Sequence, residues 1–167
     1  MVDQEFRRIT TVEVTVPNSV TLADGKEFMN IKSNVYWPSS IRLSDDETIE
    51  KVKFTTDSLW YGNSSVVTWK IKDTEKYLGV MISNSASKAY RDWLGVGIFG
   101  PDDINDDIFS KMYDCNENAQ PSFTKGVCDP ENHSQNDIKF EDDKFIVQGN
   151  MTGSSNKWTA SVKVIVK

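Results

Sequence analysis

The 167-residue chain contains one histidine, two cysteines and five prolines, and it has no long unbroken run of apolar residues. Each shortage removes a class of function. A membrane-spanning helix needs about 20 consecutive apolar residues, and no window approaches that. The opening MVDQEFRRIT has no apolar region that could serve as a signal peptide, so the chain reads either as cytosolic or as a mature form without its leader. The single histidine, His133, lies in the polar stretch PENHSQND with no Ser or Cys in a recognisable nucleophile setting. No catalytic triad is indicated, and the protein is expected to be non-enzymatic. Cys115 and Cys128 have no second cysteine pair or adjacent histidine to complete a zinc site. They are expected to form a local disulfide if the protein is secreted and to remain thiols if it is cytosolic. Positive charge is also in deficit, with 19 Lys and Arg against 25 Asp and Glu and a net charge of -6. That balance argues against nucleic acid, whose binding draws on clustered cations, and against strongly anionic membranes. Zwitterionic headgroups and neutral glycans remain compatible. No cofactor or metal is expected, and no internal repeat, linker or low-complexity tract divides residues 1–167, which read as one domain.

The chain is rich in residues that alternate with a period of two between turn signals, the pattern of strands with one buried face. Val12, Val14 and Val16 point one way, Glu13 and Thr15 the other. Asp24-Gly25 reads as a turn, with FMNIKSNVYW and VKFTT as further strands. SSVVTWKI, YLGVMIS and WLGVGIF are stronger strand candidates, with few charges and many β-branched residues. Near the C-terminus Trp158, Ala160, Val162, Val164 and Val166 share a face.

One segment departs from this pattern. GPDDINDDIFSKMYD begins with Pro101, suited to a first helical turn, and Asp102, Asp103, Asp106 and Asp107 match the positive end of a helix dipole. Ile104, Ile108 and Met112 recur every four residues as one apolar stripe, so a short amphipathic helix is predicted over about 102–114. Phe109 and Tyr113 flank that stripe and can show an edge to solvent. The acidic run lacks the alternating ligands and glycine of a calcium loop, and charge compensation at a helix start accounts for it. Many strands with one crossing helix predict a mainly β fold, a β-sandwich with a short flanking helix; an all-β barrel is the alternative.

Several aromatics exceed the needs of a core. KAYRDWLGVGIFG places Tyr90 and Trp93 on either side of Arg91 and Asp92, just before a strand; Tyr90 reads as surface, Trp93 as both wall and site. Trp37 before Pro38 reads as an edge-strand or exposed aromatic, and Trp60-Tyr61 as a turn that meets a membrane. Three sequons, at Asn63, Asn132 and Asn150, would accept glycans in a eukaryotic secretory pathway.

In order, YLGVMIS, the aromatic loop YRDWLGVGIF, a helix ending IFSKMYD and the closing FIVQGNMTGSSNKWTASVKVIV resemble the actinoporins, the sea anemone cytolysins whose fold fungal fruit-body lectins share. The resemblance runs from about Phe6 to the C-terminus and rests on the order of several weak motifs. It implies a β-sandwich, a secreted protein and a shallow aromatic pocket for phosphocholine or sphingomyelin-type headgroups, with self-association on membranes; the lectin relatives imply a glycan as the alternative ligand. Carried over residue by residue, it implies a binding site of Ser39, Val66, Ser83, Tyr90, Trp93, Phe109 and Tyr113. Phe109 stands where the family has a tyrosine, Ser85 where it has a proline, and Asp114 where it has the second of two tyrosines. The chain carries no amphipathic helix at its start of the kind the pore-formers insert, so recognition without lysis is expected.

Overall fold

Val12, Val14 and Val16 are buried while Glu13 and Thr15 between them are not, as expected of a strand with one wet face. The computed structural model describes residues 7–57, 61–85, 91–128, 137–154 and 156–167, Cys128 and Ser154 by their backbone alone. Within it, the three valines lie in β1 (Arg8–Pro17), followed by β2 (Leu22–Met29), β3 (Asn34–Tyr36), β4 (Ile41–Arg42), β5 (Glu47–Thr56), β6 (Asn63–Ile71), β7 (Tyr77–Asn84) and β8 (Asp92–Phe99). A 3-10 turn (Pro101–Asp103) and α1 (Ile108–Tyr113) lead to β9 (Phe123–Cys128), β10 (Ile138–Glu141), β11 (Phe145–Ser154) and β12 (Lys157–Val166). One sheet runs β10-β11-β12-β1-β5-β3 with β4 also paired to β5, the other β2-β6-β7-β8-β9. Among the described strands all pairings are antiparallel except β1 with β12.

The two sheets close on a core that includes Val12, Val14, Phe54, Leu78, Val80, Ile82, Leu94 and Val147. This is the expected β-sandwich with one short helix. The strands of the second sheet read as continuous apolar runs for a separate reason, since their outer face is covered as well. There Val66, Met81, Phe99 and Phe123 pack beneath Ile108, Phe109 and Met112 of α1. Ile108 and Met112 are fully buried, and burying side chains of that size stabilises by about 1.5–3 kcal/mol each. Gly95 allows the helix so close: a Cβ there would stand 3.0 Å from Met112 Cε and 3.3 Å from Met81 Cβ.

Some sequence expectations meet different local geometry. The predicted helix over 102–114 is shortened to a 3-10 turn and six α-helical residues. Asn105 sits between them: its amide donates to the Asp102 carbonyl (3.0 Å) and its Oδ1 accepts the Asp107 N–H (2.9 Å). Side-chain bonds of this kind offer the backbone an alternative to the helix. Asp24-Gly25 is a bulge inside β2 rather than a turn, with Asp24 at φ 52 and a register shift between Ala23 and Lys26. A Cβ on Gly25 would lie 2.6 Å from the Trp37 ring. FMNIKSNVYW breaks in two because the N–H groups of Asn30 and Ile31 both turn to the Ser64 carbonyl, and the chain then crosses to the other sheet. On the last strand Val166 is exposed, unlike the other four residues of its face. Among the described residues no helix is long and apolar enough to cross a membrane.

Candidate functional site

The end of β2, the start of β6, the end of β7 and the residue just before β8 come together at one end of the second sheet beside the C-terminal turn of α1, and between them lies a hollow of about 480 Å³. Asn30 and Ile31 come from the end of β2, Tyr61, Gly62 and Ser64 from the start of β6 and its approach, and Ser83, Asn84 and Ser85 from the end of β7. Arg91 stands just before β8; Phe109, Ser110, Tyr113 and Asp114 come from α1 and its last turn.

Its floor follows from strand register. Ser64 of β6 is paired directly with Ser83 of β7, which puts two small hydroxyls side by side on the sheet's outer face, 3.1 Å apart. The wall comes from helical spacing. Phe109 and Tyr113 are four residues apart on α1, and their rings stack at a centroid separation of 5.3 Å and an interplanar angle of 15°. Opposite charges border the same hollow, Arg91 and Asp114, both exposed. Among the described residues neither has an ion-pair partner. Tyr61 adds a ring that is 59% exposed.

Two buried polar groups fix this frame. Lys125 of β9 is only 4% exposed and donates from Nζ to the carbonyls of Tyr113 and Cys115, each at 2.7 Å. Its ammonium also lies 4.9 Å from the centre of the Trp93 ring. This cation ties the end of α1 to the sheet by charge-assisted bonds, stronger than neutral ones. Asp92 accepts the Ser85 N–H at 2.7 Å across the two ends of the β7–β8 connection. Burial pushes the Asp92 carboxyl above the usual carboxylate range, and hydrogen bonds from Ser85 and Asn84 with the charge of Arg8 offset part of that. Behind the floor, Thr10 donates to Asn84 Oδ1 (2.7 Å), and the Asn63 amide donates to Thr10 Oγ1 (3.1 Å) and to the carbonyls of Arg8 (3.3 Å) and Phe54 (3.4 Å).

Of the residues the actinoporin resemblance implied, the structure brings Ser83, Phe109 and Tyr113 together around one hollow. Val66 is fully buried beneath α1, and Trp93, half-buried, is engaged by Lys125 beside the site rather than in its lining. Ser39 is exposed just after β3, in the other sheet's edge region. Tyr90, Trp60 and His133 lie outside the described residues. Trp37 meets Trp69 edge-on at 5.9 Å and packs on the core. Cys115 is a free, half-buried cysteine, and the Cys128 side chain lies outside the described residues. The Asn63 sequon is buried and its amide fully engaged, which makes it a structural element rather than a glycan acceptor; Asn150 is half-buried and bonded to Asp137 at 3.0 Å. Among the described residues no group of three or more acidic, histidine or cysteine side chains is placed to hold a metal. Sequence reasoning missed Ser64, Arg91 and Asn30 as lining residues. Arg91 had a visible signal, a charge between two aromatics ahead of a strand, whereas Ser64 depends on register.

No family model matches the chain, and no curated protein matches it in sequence. Its fold is similar to a solved structure described as lipid binding protein Nakanori, with a TM-score of 0.55 over 94% of this chain and 70% of that one. The two are 9% identical, so the likeness is one of fold.

Proposed function

We propose that this protein is a non-enzymatic, secreted membrane-recognition domain that takes lipid headgroups in the hollow between α1 and the strand ends of β2, β6 and β7 with Arg91. The observation that carries this reading is the joint placement of a cation and an anion without ion-pair partners among the described residues, paired seryl hydroxyls and a stacked aromatic wall in one shallow site. A zwitterionic headgroup has the matching parts. Its phosphate suits Arg91 and the Ser64 and Ser83 hydroxyls, and its ammonium suits the tyrosine rings, at about 0.5–2 kcal/mol for each well-placed ring. Phosphocholine and sphingomyelin-type headgroups are the ligands that the actinoporin resemblance adds, and the fold similarity to a lipid binding protein supports the same direction. Tyr61 and Met29, exposed at this end, would rest at the bilayer interface, where amphipathic rings are favoured. Flotation with phosphatidylcholine and sphingomyelin vesicles tests the proposal. Wild-type protein is expected to float with them and Tyr113→Ala to lose most of that binding; wild type remaining in the soluble fraction with every vesicle sinks the idea.

One feature favours a glycan as the second reading. Hydroxyl, amide and carboxylate groups of Asn30, Ser64, Ser83, Asn84 and Asp114 share the lining with an aromatic wall, and sugars need both. Saturable binding on a glycan array without vesicle affinity would select it.

A further inference from the structure

We infer that Asp114 sets the headgroup preference of this site, favouring an ammonium that carries N–H donors, as in phosphoethanolamine, over the quaternary ammonium of phosphocholine. The inference rests on the headgroup reading above and goes further by naming which headgroup and which residue decides. A trimethylammonium group cannot donate a hydrogen bond, so it is held mainly by ring faces surrounding it. Among the described residues this hollow offers few. Phe109 is 7% exposed and has Tyr113 stacked on it, which leaves Tyr113 and Tyr61 as the described rings in its lining that a ligand can reach.

The same wall instead ends in a carboxylate. Asp114 follows Tyr113 at the C-cap of α1, is exposed, and has no ion-pair partner among the described residues. The nearest buried cation, Lys125, is already committed to the carbonyls of Tyr113 and Cys115. The carboxylate is therefore free to accept from a ligand. A primary ammonium can donate to it, and such charge-assisted bonds are about twice as strong as neutral ones. Methylation removes the donors one by one and leaves only a longer-range attraction, while Arg91 and the seryl hydroxyls treat the phosphate of every member of the series alike.

The test is a titration of wild type and of Asp114→Asn with phosphoethanolamine, its N-methyl and N,N-dimethyl forms, and phosphocholine, followed by calorimetry or NMR. Wild type is expected to weaken along the series by about tenfold overall, the low end for a hydrogen bond to a charged group. Asp114→Asn is expected to flatten the series by weakening phosphoethanolamine most and phosphocholine least, since phosphocholine loses only the longer-range attraction, and circular dichroism checks that the variant folds. Phosphocholine bound as tightly as phosphoethanolamine by wild type, or an undiminished preference in Asp114→Asn, overturns the inference and leaves the headgroup site standing. Wild type that binds no member of the series removes the headgroup site and this inference with it.

Discussion

Lys125→Met removes one ammonium and keeps most of the aliphatic stem, so it isolates the contribution of a buried charge that bridges α1 to β9. The lysine is 4% exposed and donates twice at 2.7 Å, to the carbonyls of Tyr113 and Cys115, with Trp93 4.9 Å away on another side. Each carbonyl that loses a buried donor costs about 1–3 kcal/mol. Relief of the ammonium's own desolvation recovers part of that sum, since burying a charge is itself unfavourable. The net loss is about 2–3 kcal/mol. In a chain of this size each kcal/mol moves the melting temperature by about 2–4 °C, so calorimetry should find a drop of about 4–12 °C. The same variant should weaken headgroup binding, because Tyr113 and Asp114 sit on the turn that Lys125 anchors. A melting temperature equal to wild type would refute the claim that this lysine holds the helix end.

Two further perturbations probe the frame of the site. Asp92 has a carboxyl raised in the folded state, chiefly by burial, so the folded protein holds that proton more tightly than the unfolded chain. Its stabilising contribution is full below the ordinary carboxylate range and is lost as pH rises through the raised value. Asp92→Asn, which still accepts from Ser85, should therefore be the more stable protein in urea at pH 7, with the gap closing towards about pH 4; a variant weaker at pH 7 contradicts this sign. Asn63→Ala removes a buried amide that donates to Thr10 and to the carbonyls of Arg8 and Phe54, and should lower unfolding stability by about 2–4 kcal/mol in a urea titration. A loss within experimental error would mean that the polar layer behind the floor is dispensable.

The strands were legible because β1 and β12 each have one wet face, which prints an alternation on the sequence, and because β6 to β8 are covered on both faces, which prints unbroken apolar runs. What misled was local chemistry. Asp-Gly is both a turn signal and a bulge signal, and the packing of Trp37 on Gly25 selects the bulge. The acidic run before α1 matches a helix start, yet Asn105 diverts its backbone into an Asx turn. In the site, Phe109 and Tyr113 could be paired from helical spacing alone. Ser64 could not be paired with Ser83, because cross-strand register depends on the length and shape of the intervening hairpin. Val66 and Trp93 share the sheet's outer face with the site, but one is roofed by the helix and the other is taken up by a buried lysine that nothing in its own neighbourhood of sequence announces.

Headgroup binding in the hollow bounded by Ser64, Ser83, Arg91, Tyr113 and Asp114 can be followed residue by residue by backbone NMR during titration with phosphoethanolamine and phosphocholine. Saturable shifts are expected on those residues, fading towards the opposite end of the sandwich, around Asp142 and Lys167. Saturable shifts centred elsewhere, or none at millimolar ligand, would contradict binding in that hollow.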